Sequence, residues 1–451
     1  MKQIRPLVVL AAAAALSSCG TVGRAADAIW PFNDGGPRER APEEGRISIL
    51  SSEQDLAVDP QLATRSIMVP APTPSSDWAQ PGGVASNAPI NVQGPSALAV
   101  ADRRDLGAGS NNTVRIAAPP VIANGRLFFI DADHEVHAYD VEGGRRQWSR
   151  RLRPEDSRDR RARGGGVATD GARVYVTTGF AFMAALDAAT GEEIWRRRTN
   201  APFQSAPTVA GGRVYAVTND SELVAVDAAT GELQWSHQAI AEPARIMSAS
   251  SPAVSGDTVI APFASGEVVA LLGANGRRLW GDSLTRAGGL NSLSAINDVA
   301  GRPAVDGGVM YAASHSGVLA AIDMRSGQRI WARNFASTQT PWIAGETLYA
   351  VTVDGELAAL DRQTGGVYWL RQLRRFRDED DRRGRVAWTG PVMVGGRLIL
   401  ANSLGEVAAV NPATGEVVET RDIGGEIFIP PIAANGAIYI VNDDARLTIL
   451  R

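Results

Sequence analysis

From about residue 96 onward, apolar and polar positions recur in one frame that repeats along the chain. Two copies show it clearly: A-L-D-A-A-T-G-E-E-I-W at 185–195 and A-V-D-A-A-T-G-E-L-Q-W at 225–235. Aspartate caps its own backbone at the start of a tight turn, and glycine supplies the positive φ at its end. The frame therefore predicts two antiparallel strands joined by a tight turn. Its closing tryptophans are Trp148, Trp195, Trp235, Trp280, Trp331 and Trp369.

A seventh copy, at 410–419, keeps the turn but has Glu419 at the tryptophan position. Leu272 replaces the aspartate in the fourth copy, so the glycine is the part that the turn requires. Glycine occupies the same place in all seven copies, as Gly144, Gly191, Gly231, Gly276, Gly327, Gly365 and Gly415.

A second pattern precedes each of these turns and consists of a short apolar strand, a two-residue turn and another strand, as at 207–217. Asn, Asp or Gly before the turn glycine is typical of a type I′ hairpin. Each period thus contains about four strands with no helical pattern, which indicates a β-propeller blade. The eight turn glycines are Gly125, Gly171, Gly212, Gly256, Gly308, Gly345, Gly396 and Gly436.

Eight inner hairpins but only seven complete outer turns leave the last blade without its outer strand. The segment at 97–106 lies just ahead of the first blade and can supply that strand, which would remove the open edge. The sequence therefore predicts an all-β protein, with a single eight-bladed β-propeller over 96–451 closed by an N-terminal strand. A seven-bladed ring is the alternative. The repeat tryptophans are interpreted as large apolar wedges between neighbouring blades, in preference to a ligand-stacking role.

The N-terminus has the pattern of an export signal: Lys2 and Arg5 precede an apolar run at 7–16, and small residues follow. The sequence L-S-S-C-G at 16–20 resembles a bacterial lipobox, which predicts that residues 1–19 are a signal peptide and that Cys19 is lipidated. An ordinary signal peptide or a free thiol is the alternative. Residues 20–95 include P-A-P-T-P and P-G-G and are predicted to be a flexible periplasmic tether. No later apolar stretch approaches the length of a membrane span, so any membrane attachment is assigned to the lipid.

The net charge of −4, from 45 basic and 49 acidic side chains, does not favour nucleic acid as a partner. Arginines cluster instead in two connectors, at 150–163 and 371–385. These clusters are either solvated loops or surfaces that steer an acidic partner or anionic headgroups.

Catalytic and metal-binding patterns are weak. Only four histidines occur, and His134 and His137 are three apart in a predicted strand, which places them on opposite faces. A lipidated Cys19 leaves no thiol for nucleophilic catalysis, and no serine has the strand-to-helix glycine context of a nucleophile elbow. The sequence therefore predicts no catalytic residue, no metal site and no cofactor.

The A-x-D-x-x-T-G-x-x-x-W frame resembles the PQQ-like repeat of quinoprotein propellers, which enzymes and non-enzymes share. The quinone-dependent dehydrogenases that have this repeat usually place a vicinal cysteine disulfide beside the cofactor and bind calcium. A chain whose only cysteine is Cys19 cannot form that disulfide, which counts against an enzyme.

A lipobox, a tether and an eight-bladed propeller together resemble the lipoprotein family of the outer-membrane β-barrel assembly machinery. G-R-I-S-I-L at 45–50 and D-W-A-Q-P-G-G at 77–83 are similar to motifs of that family. The resemblance implies two interblade connections that dock on a POTRA domain of BamA. Asp298 matches the first of two docking aspartates, with an ordinary loop-capping aspartate as the alternative, and Ala300 departs from the second. The family's leucine and arginine region corresponds to Arg245, Ile246 and Met247.

The function implied is a non-enzymatic scaffold lipoprotein on the periplasmic face of the outer membrane. It would bind BamA and other subunits of the machinery, and exposed strand edges would hold unfolded β-barrel proteins. Gly20 is not the aspartate that retains enteric lipoproteins at the inner membrane, which favours the outer membrane. The alternatives are a periplasmic PQQ-dependent dehydrogenase and a propeller adaptor of another envelope complex.

Overall fold

The computed structural model describes residues 56–154, 161–240, 250–285 and 298–451. Cys19 and the motif at 45–50 lie outside this part of the chain. No helix in the described residues has the length and apolar character needed to cross a membrane.

Within the described ranges, the strands form eight four-stranded antiparallel sheets and one small hairpin, which confirms the predicted all-β, eight-bladed propeller. In each of blades 1–7 the strands follow chain order from the inner to the outer edge. Blades 1 to 4 consist of β2 (Val121–Ala123), β3 (Arg126–Ile130), β4 (Glu135–Asp140) and β5 (Arg146–Arg151); β6 (Gly165–Thr169), β7 (Arg173–Thr178), β8 (Phe182–Asp187) and β9 (Glu193–Arg198); β10 (Thr208–Ala210), β11 (Arg213–Val217), β12 (Glu222–Asp227) and β13 (Leu233–Gln238); and β14 (Ala253–Ser255), β15 (Thr258–Pro262), β16 (Glu267–Leu272) and β17 (Arg278–Ser283).

Blades 5 to 8 continue the same order, except that the outer strand of blade 8 comes from the N-terminal side of the chain. They consist of β18 (Ala304–Asp306), β19 (Val309–Ala313), β20 (Val318–Asp323) and β21 (Arg329–Asn334); β22 (Trp342–Ala344), β23 (Thr347–Val351), β24 (Glu356–Asp361) and β25 (Val367–Gln372); β28 (Trp388–Val394), β29 (Arg397–Asn402), β30 (Glu406–Val410) and β31 (Val417–Asp422); and β32 (Ile432–Ala434), β33 (Ala437–Val441), β34 (Arg446–Leu450) and β1 (Val100–Asp105). The small hairpin is β26 (Phe376–Asp378) with β27 (Arg383–Arg385).

The predicted closing strand is confirmed: β1 pairs antiparallel with β34, from Val100 opposite Leu450 to Asp105 opposite Arg446. This pairing completes blade 8 and joins the two ends of the propeller. The seven-bladed alternative is therefore wrong.

The turns of the repeat have the geometry that their residues dictate. Asp187 Oδ1 accepts hydrogen bonds from the backbone N–H groups of Ala189 (2.9 Å) and Thr190 (2.8 Å), and Gly191 follows at φ 73°. The seven glycines of this turn have φ between 69° and 74°, a region that favours glycine.

Each repeat tryptophan packs against the turn of the next blade. A Cβ atom at Gly231 would lie 2.6 Å from the indole ring of Trp195, so only glycine fits below the ring. The indole Nε1 also donates a hydrogen bond to a carbonyl of that turn. The six bonds join Trp148 to Ala188 (3.1 Å), Trp195 to Ala228 (3.0 Å), Trp235 to Gly273 (2.9 Å), Trp280 to Met324 (2.7 Å), Trp331 to Arg362 (2.9 Å) and Trp369 to Pro412 (3.0 Å).

Two junctions use charged residues instead. Glu419, at the tryptophan position of blade 7, accepts the N–H of Leu98 at 2.9 and 3.0 Å and pairs with Arg397 at 3.2 Å. Arg104, on β1, lies over Gly144 of blade 1 and donates to the carbonyl of Val141 at 3.1 Å. Both charged contacts flank blade 8, where the two ends of the ring meet.

The structure differs from the predicted tether over residues 56–95. Leu62, Trp78 and Val92 are buried in the same apolar cluster as blades 6–8. Proline and glycine in this segment end regular structure locally, but they do not keep it from packing on the propeller. The propeller body therefore begins near residue 56, not at residue 96.

Candidate functional site

The ring has two different faces. Links from the outer strand of one blade to the inner strand of the next lie on one face, which we call the connector face. The inner-hairpin turns and the D-x-x-T-G turns lie on the opposite face, which we call the turn face. Each face presents loops from every blade.

Residues 75–92, here called the channel plug, run round the centre of the ring near the turn face. The carbonyl of Ser75 accepts the N–H of Asn435 of blade 8 at 2.8 Å. Trp78 then exchanges two backbone hydrogen bonds with Ile122 of blade 1, at 2.7 and 2.8 Å. The carbonyl of Ala79 accepts a bond from blade 2, and Gln80 bonds the backbone of Val209 in blade 3.

The plug continues to the remaining blades. The carbonyls of Ala85 and Ser86 accept the N–H groups of Val254 in blade 4 (2.7 Å) and Val305 in blade 5 (2.9 Å). Val92 donates to blade 7. The ring of Trp78 stacks on that of Trp342 in blade 6, with centroids 6.4 Å apart. Every blade therefore contacts the plug, which spans the ring at its turn face.

The centre of the ring forms a channel that the plug covers at the turn face. At the connector face this channel opens into a cavity of about 330 Å³. Arg115 at its rim pairs with Asp443 at 2.8 Å, and Arg163 donates to the carbonyls of Asn112 and Thr113. The lining residues are Arg115, Ile116, Ala117, Arg163, Gly164, Gln204, Phe428 and Asp443.

Asp298 lies on the connector face, in the link into blade 5, and its main-chain carbonyl accepts the N–H of His315 at 3.0 Å. Only 8% of the residue is exposed. It lines a small cavity with Ser250 and Asn219. Arg245, Ile246 and Met247 lie outside the described residues, as do Arg158 and Arg160 of the first arginine cluster.

The links into blades 4 and 5 meet each other. Ser250 Oγ, at the end of the first link, donates a hydrogen bond to the carbonyl of Gly301 in the second at 3.1 Å. The structure thus brings the end of the connector that contains Arg245 next to the connector that contains Asp298.

The second arginine cluster folds as the β26–β27 hairpin beside blade 7. Arg374 pairs with Glu406 at 2.9 Å, and Arg385 pairs with Asp354. The Arg371 side chain donates to the carbonyl of Gly415 at 2.7 Å. Part of the positive charge is therefore paired within the propeller.

The two neighbouring histidines do not lie in one strand as predicted. His137 lies in β4, whereas His134 lies in the preceding turn with φ 59°. His137 Nε2 lies 3.1 Å from Asp131 Oδ2 in a buried pair. Burial would raise the pKa of Asp131, but hydrogen bonds from His137, Ala108 and Glu135 outweigh it and lower the pKa. Across the described ranges, no three His, Cys, Asp or Glu residues form a group that could hold a metal ion.

Two features of the ring centre differ from what the sequence pattern predicts. The channel plug falls within the predicted tether, although it contains the motif D-W-A-Q-P-G-G at 77–83. Arg302 lines the channel, and its only sequence signal is its place directly before the strand-opening Pro303.

Known proteins resemble this chain in both sequence and fold. A family model described as outer membrane protein assembly factor BamB matches residues 132–371 and 375–451. BamB of Shigella dysenteriae serotype 1 is 30% identical over 332 residues, which cover 73% of this chain and 82% of that protein. BamB of Moranella endobia is 27% identical over 222 residues, 48% of this chain, and the match spans only 57% of that relative's length.

Among solved structures, BamB from Moraxella catarrhalis has a TM-score of 0.65 at 21% identity, covering 79% of this chain and all of that one. A europium-containing methanol dehydrogenase has a TM-score of 0.64 at 14% identity, covering 83% of this chain and 89% of the other. At these identities the two structures show the shared fold alone.

Proposed function

Because the chain belongs to the family of the outer membrane protein assembly factor BamB, we propose that it is a non-enzymatic scaffold of the outer-membrane β-barrel assembly machinery. Cys19 would carry the lipid that holds the protein on the periplasmic face of the outer membrane. Residues 20–55 would then be the tether between the lipid and the propeller, since residues from 56 onward pack on the ring.

The observation that carries the docking proposal is the contact between the links into blades 4 and 5. The hydrogen bond from Ser250 to Gly301 joins these two links at their ends. A partner that binds one link would therefore also contact the other. We propose that a POTRA domain of BamA docks here, with Arg245, Ile246 and Met247 on one link and Asp298 on the other.

Because little of Asp298 is exposed, we propose that it supports docking by fixing the conformation of its link and not by a large direct contact. A residue that is 8% exposed offers little surface to a partner. Asp298 would hold the second link in its docking conformation, while Arg245, Ile246 and Met247 would supply the larger contact. A few well-packed side chains, often arginines, carry most of the binding energy in protein interfaces.

Replacing Arg245 with glutamate is expected to weaken BamA binding by at least tenfold, because the interface would lose a favourable charge and gain an unfavourable one. Full-length lipoprotein in detergent would be immobilised, and binding of the soluble POTRA domains would be measured by surface plasmon resonance at two salt concentrations.

The matched control is Glu232→Arg, an exposed charge reversal in a D-x-x-T-G turn on the turn face. It is expected to leave BamA binding unchanged. Equal affinities for wild type and the Arg245 variant, or an equal loss in the Glu232 variant, would contradict docking through the blade 4 and blade 5 links.

We also propose that unfolded β-barrel proteins pair transiently with the outer edges of blades. An outer strand presents unpaired backbone groups, and an extended chain can add to such an edge. In three blades the residue before the repeat tryptophan adds exposed apolar surface there: Ile194, Leu279 and Ile330, the last of which, on β21, is 48% exposed. At blade 6 the chain covers its own edge: Asp59 donates to the carbonyl of Val367 at 2.9 Å, and Leu62 lies over Gly366.

A photo-crosslinking residue at position 330 is expected to capture unfolded barrel proteins during assembly. The same residue at position 368 is the matched control, because Tyr368 is at the equivalent place on β25 but is only 8% exposed. Crosslinked products would be measured after immunoprecipitation of the barrel protein. Equal yields at the two positions, or none at 330, would rule out edge pairing.

A further inference from the structure

Arg302 is a buried arginine whose guanidinium has no protein partner in the described part of the chain. It lies in the link into blade 5, one residue before Pro303, and is 8% exposed. Its backbone N–H donates to Thr340 Oγ1 at 3.2 Å. Its side-chain Nε, however, is fully buried and has no acceptor. The side chain faces two cavities in the centre of the ring.

An unpaired buried cation opposes folding, because the charge loses its hydration and gains no counter-charge. Burial lowers the pKa of Arg302 to about 10, so the side chain remains protonated at neutral pH. Buried charges in proteins are normally paired with an opposite charge or bound to a ligand. The described residues supply no such counter-charge, so the position of Arg302 in the channel points to a bound anion.

The larger of the two cavities next to Arg302 has a volume of about 140 Å³. Ile116, Phe428 and Ile429 form an apolar wall, and Gln339 supplies an amide group. Arg302 is the one charged residue among the described residues that line this cavity. The other lining residues are Ala117, Pro119, Ala300, Gly301, Thr338, Thr340 and Pro430.

Access to this cavity is from the connector face. Ile116, Ala117 and Phe428 line both this cavity and the 330 Å³ opening described above, so the two spaces adjoin. On the other side, Trp78 and Gly82 of the plug line the smaller cavity that Arg302 also faces. The site is thus a pocket closed at the turn face, with a cation inside and apolar walls toward its mouth.

We propose that this pocket binds a small organic anion, with its carboxylate paired to the guanidinium of Arg302 and its short apolar body against Ile116 and Phe428. The planar guanidinium matches a carboxylate with two parallel hydrogen bonds. A phosphate dianion fits the pocket less well, because its additional charged oxygen would face the apolar wall. Ala300 and Gly301 of the blade 5 link line this pocket, so it adjoins the proposed BamA contact, but binding of the anion does not require BamA.

The test is isothermal titration calorimetry of the full-length protein in detergent with butyrate and, separately, with inorganic phosphate. Wild type is expected to bind butyrate, and Arg302→Met is expected to bind it at least tenfold more weakly. Arg329→Met is the matched control, because Arg329 pairs with Asp282 at 2.6 Å on the outside of the ring. This variant is expected to bind butyrate as wild type does.

Thermal unfolding provides a second readout. Butyrate is expected to raise the Tm of wild type and not that of Arg302→Met, because a ligand stabilises only the state that binds it. If Arg302→Met does not fold, Phe428→Ala replaces it; this variant should bind butyrate severalfold more weakly and acetate unchanged. The proposal is overturned if wild type binds no butyrate, if it binds phosphate alone, or if the folded variant binds butyrate with wild-type affinity.

Discussion

Trp78→Ala is expected to lower the free energy of unfolding by about 3–5 kcal/mol, the usual cost of removing a buried large aromatic side chain. Trp78 is 3% exposed and stacks on Trp342 of blade 6. Its backbone is paired with Ile122 in both directions. Loss of the indole would leave a cavity between the plug and blades 1 and 6, which the surrounding strands cannot fill without moving.

The measurement is urea unfolding of wild type and variant, followed by far-ultraviolet circular dichroism. Met68→Ala is the matched control, because Met68 belongs to the same N-terminal segment and is 86% exposed. Its substitution is expected to change stability by less than about 0.5 kcal/mol. If Trp78→Ala were as mild as the control, residues 75–92 would not be part of the cooperative structure.

Gly231→Ala is expected to destabilise the propeller by about 2–5 kcal/mol through two separate effects. The first is conformational, since Gly231 has φ 74° and an L-residue pays about 1–2 kcal/mol there. The second is steric, since the added methyl would lie 2.6 Å from the Trp195 ring, and overpacking costs about 1–3 kcal/mol. The variant therefore tests whether the tryptophan wedge is tightly packed.

Gly212→Ala separates the two effects. Gly212 has φ 73°, but nothing lies within 4 Å of a Cβ atom built there. It carries the same backbone strain without the contact, so its expected cost is about 1–2 kcal/mol. Both variants would be compared by the same urea titration. Equal losses in the two variants would mean that Trp195 and its neighbours can move aside at little cost.

The blades were predictable from the sequence because their determinants are local. The D-x-x-T-G turn, the type I′ hairpin glycines and the alternating strands all lie within one repeat. Ring closure was predictable for a different reason: eight inner hairpins and seven outer turns leave one strand missing, and the segment at 97–106 is the nearest donor. The pairing of β1 with β34 follows that count.

The channel plug was not predictable in this way. Its contacts are single backbone hydrogen bonds to inner strands that are far away in the sequence, such as Gln80 to Val209 and Ser86 to Val305. Because the plug makes only one or two contacts with each blade, its own sequence has no repeating pattern of apolar and polar residues. Its proline and glycine residues are equally typical of a tether, so composition alone gave the wrong boundary.

Alignment of the blades shows that Arg302 is unusual for its position. Seven blades have a proline directly before the inner strand or, in blade 7, within it. The residue before that proline is small or uncharged in six of them. These residues are Pro119, Ala206, Ser251, Thr340, Gly390 and Pro430, and Arg302 holds the position in blade 5. A charged residue at this position indicates a site at the ring centre. That indication can be recognised only when the structure shows that the position faces the channel.

The seam at blade 8 sets an order of events during synthesis. The ribosome releases β1 long before β34, and Val100 must wait for Leu450 before its strand has a partner. Seven blades can form their own sheets as they emerge, but the ring closes only when β34 has been synthesised and is free to pair with β1. A premature stop or a proteolytic cut just before β34 would therefore leave every earlier blade intact and still open the whole ring.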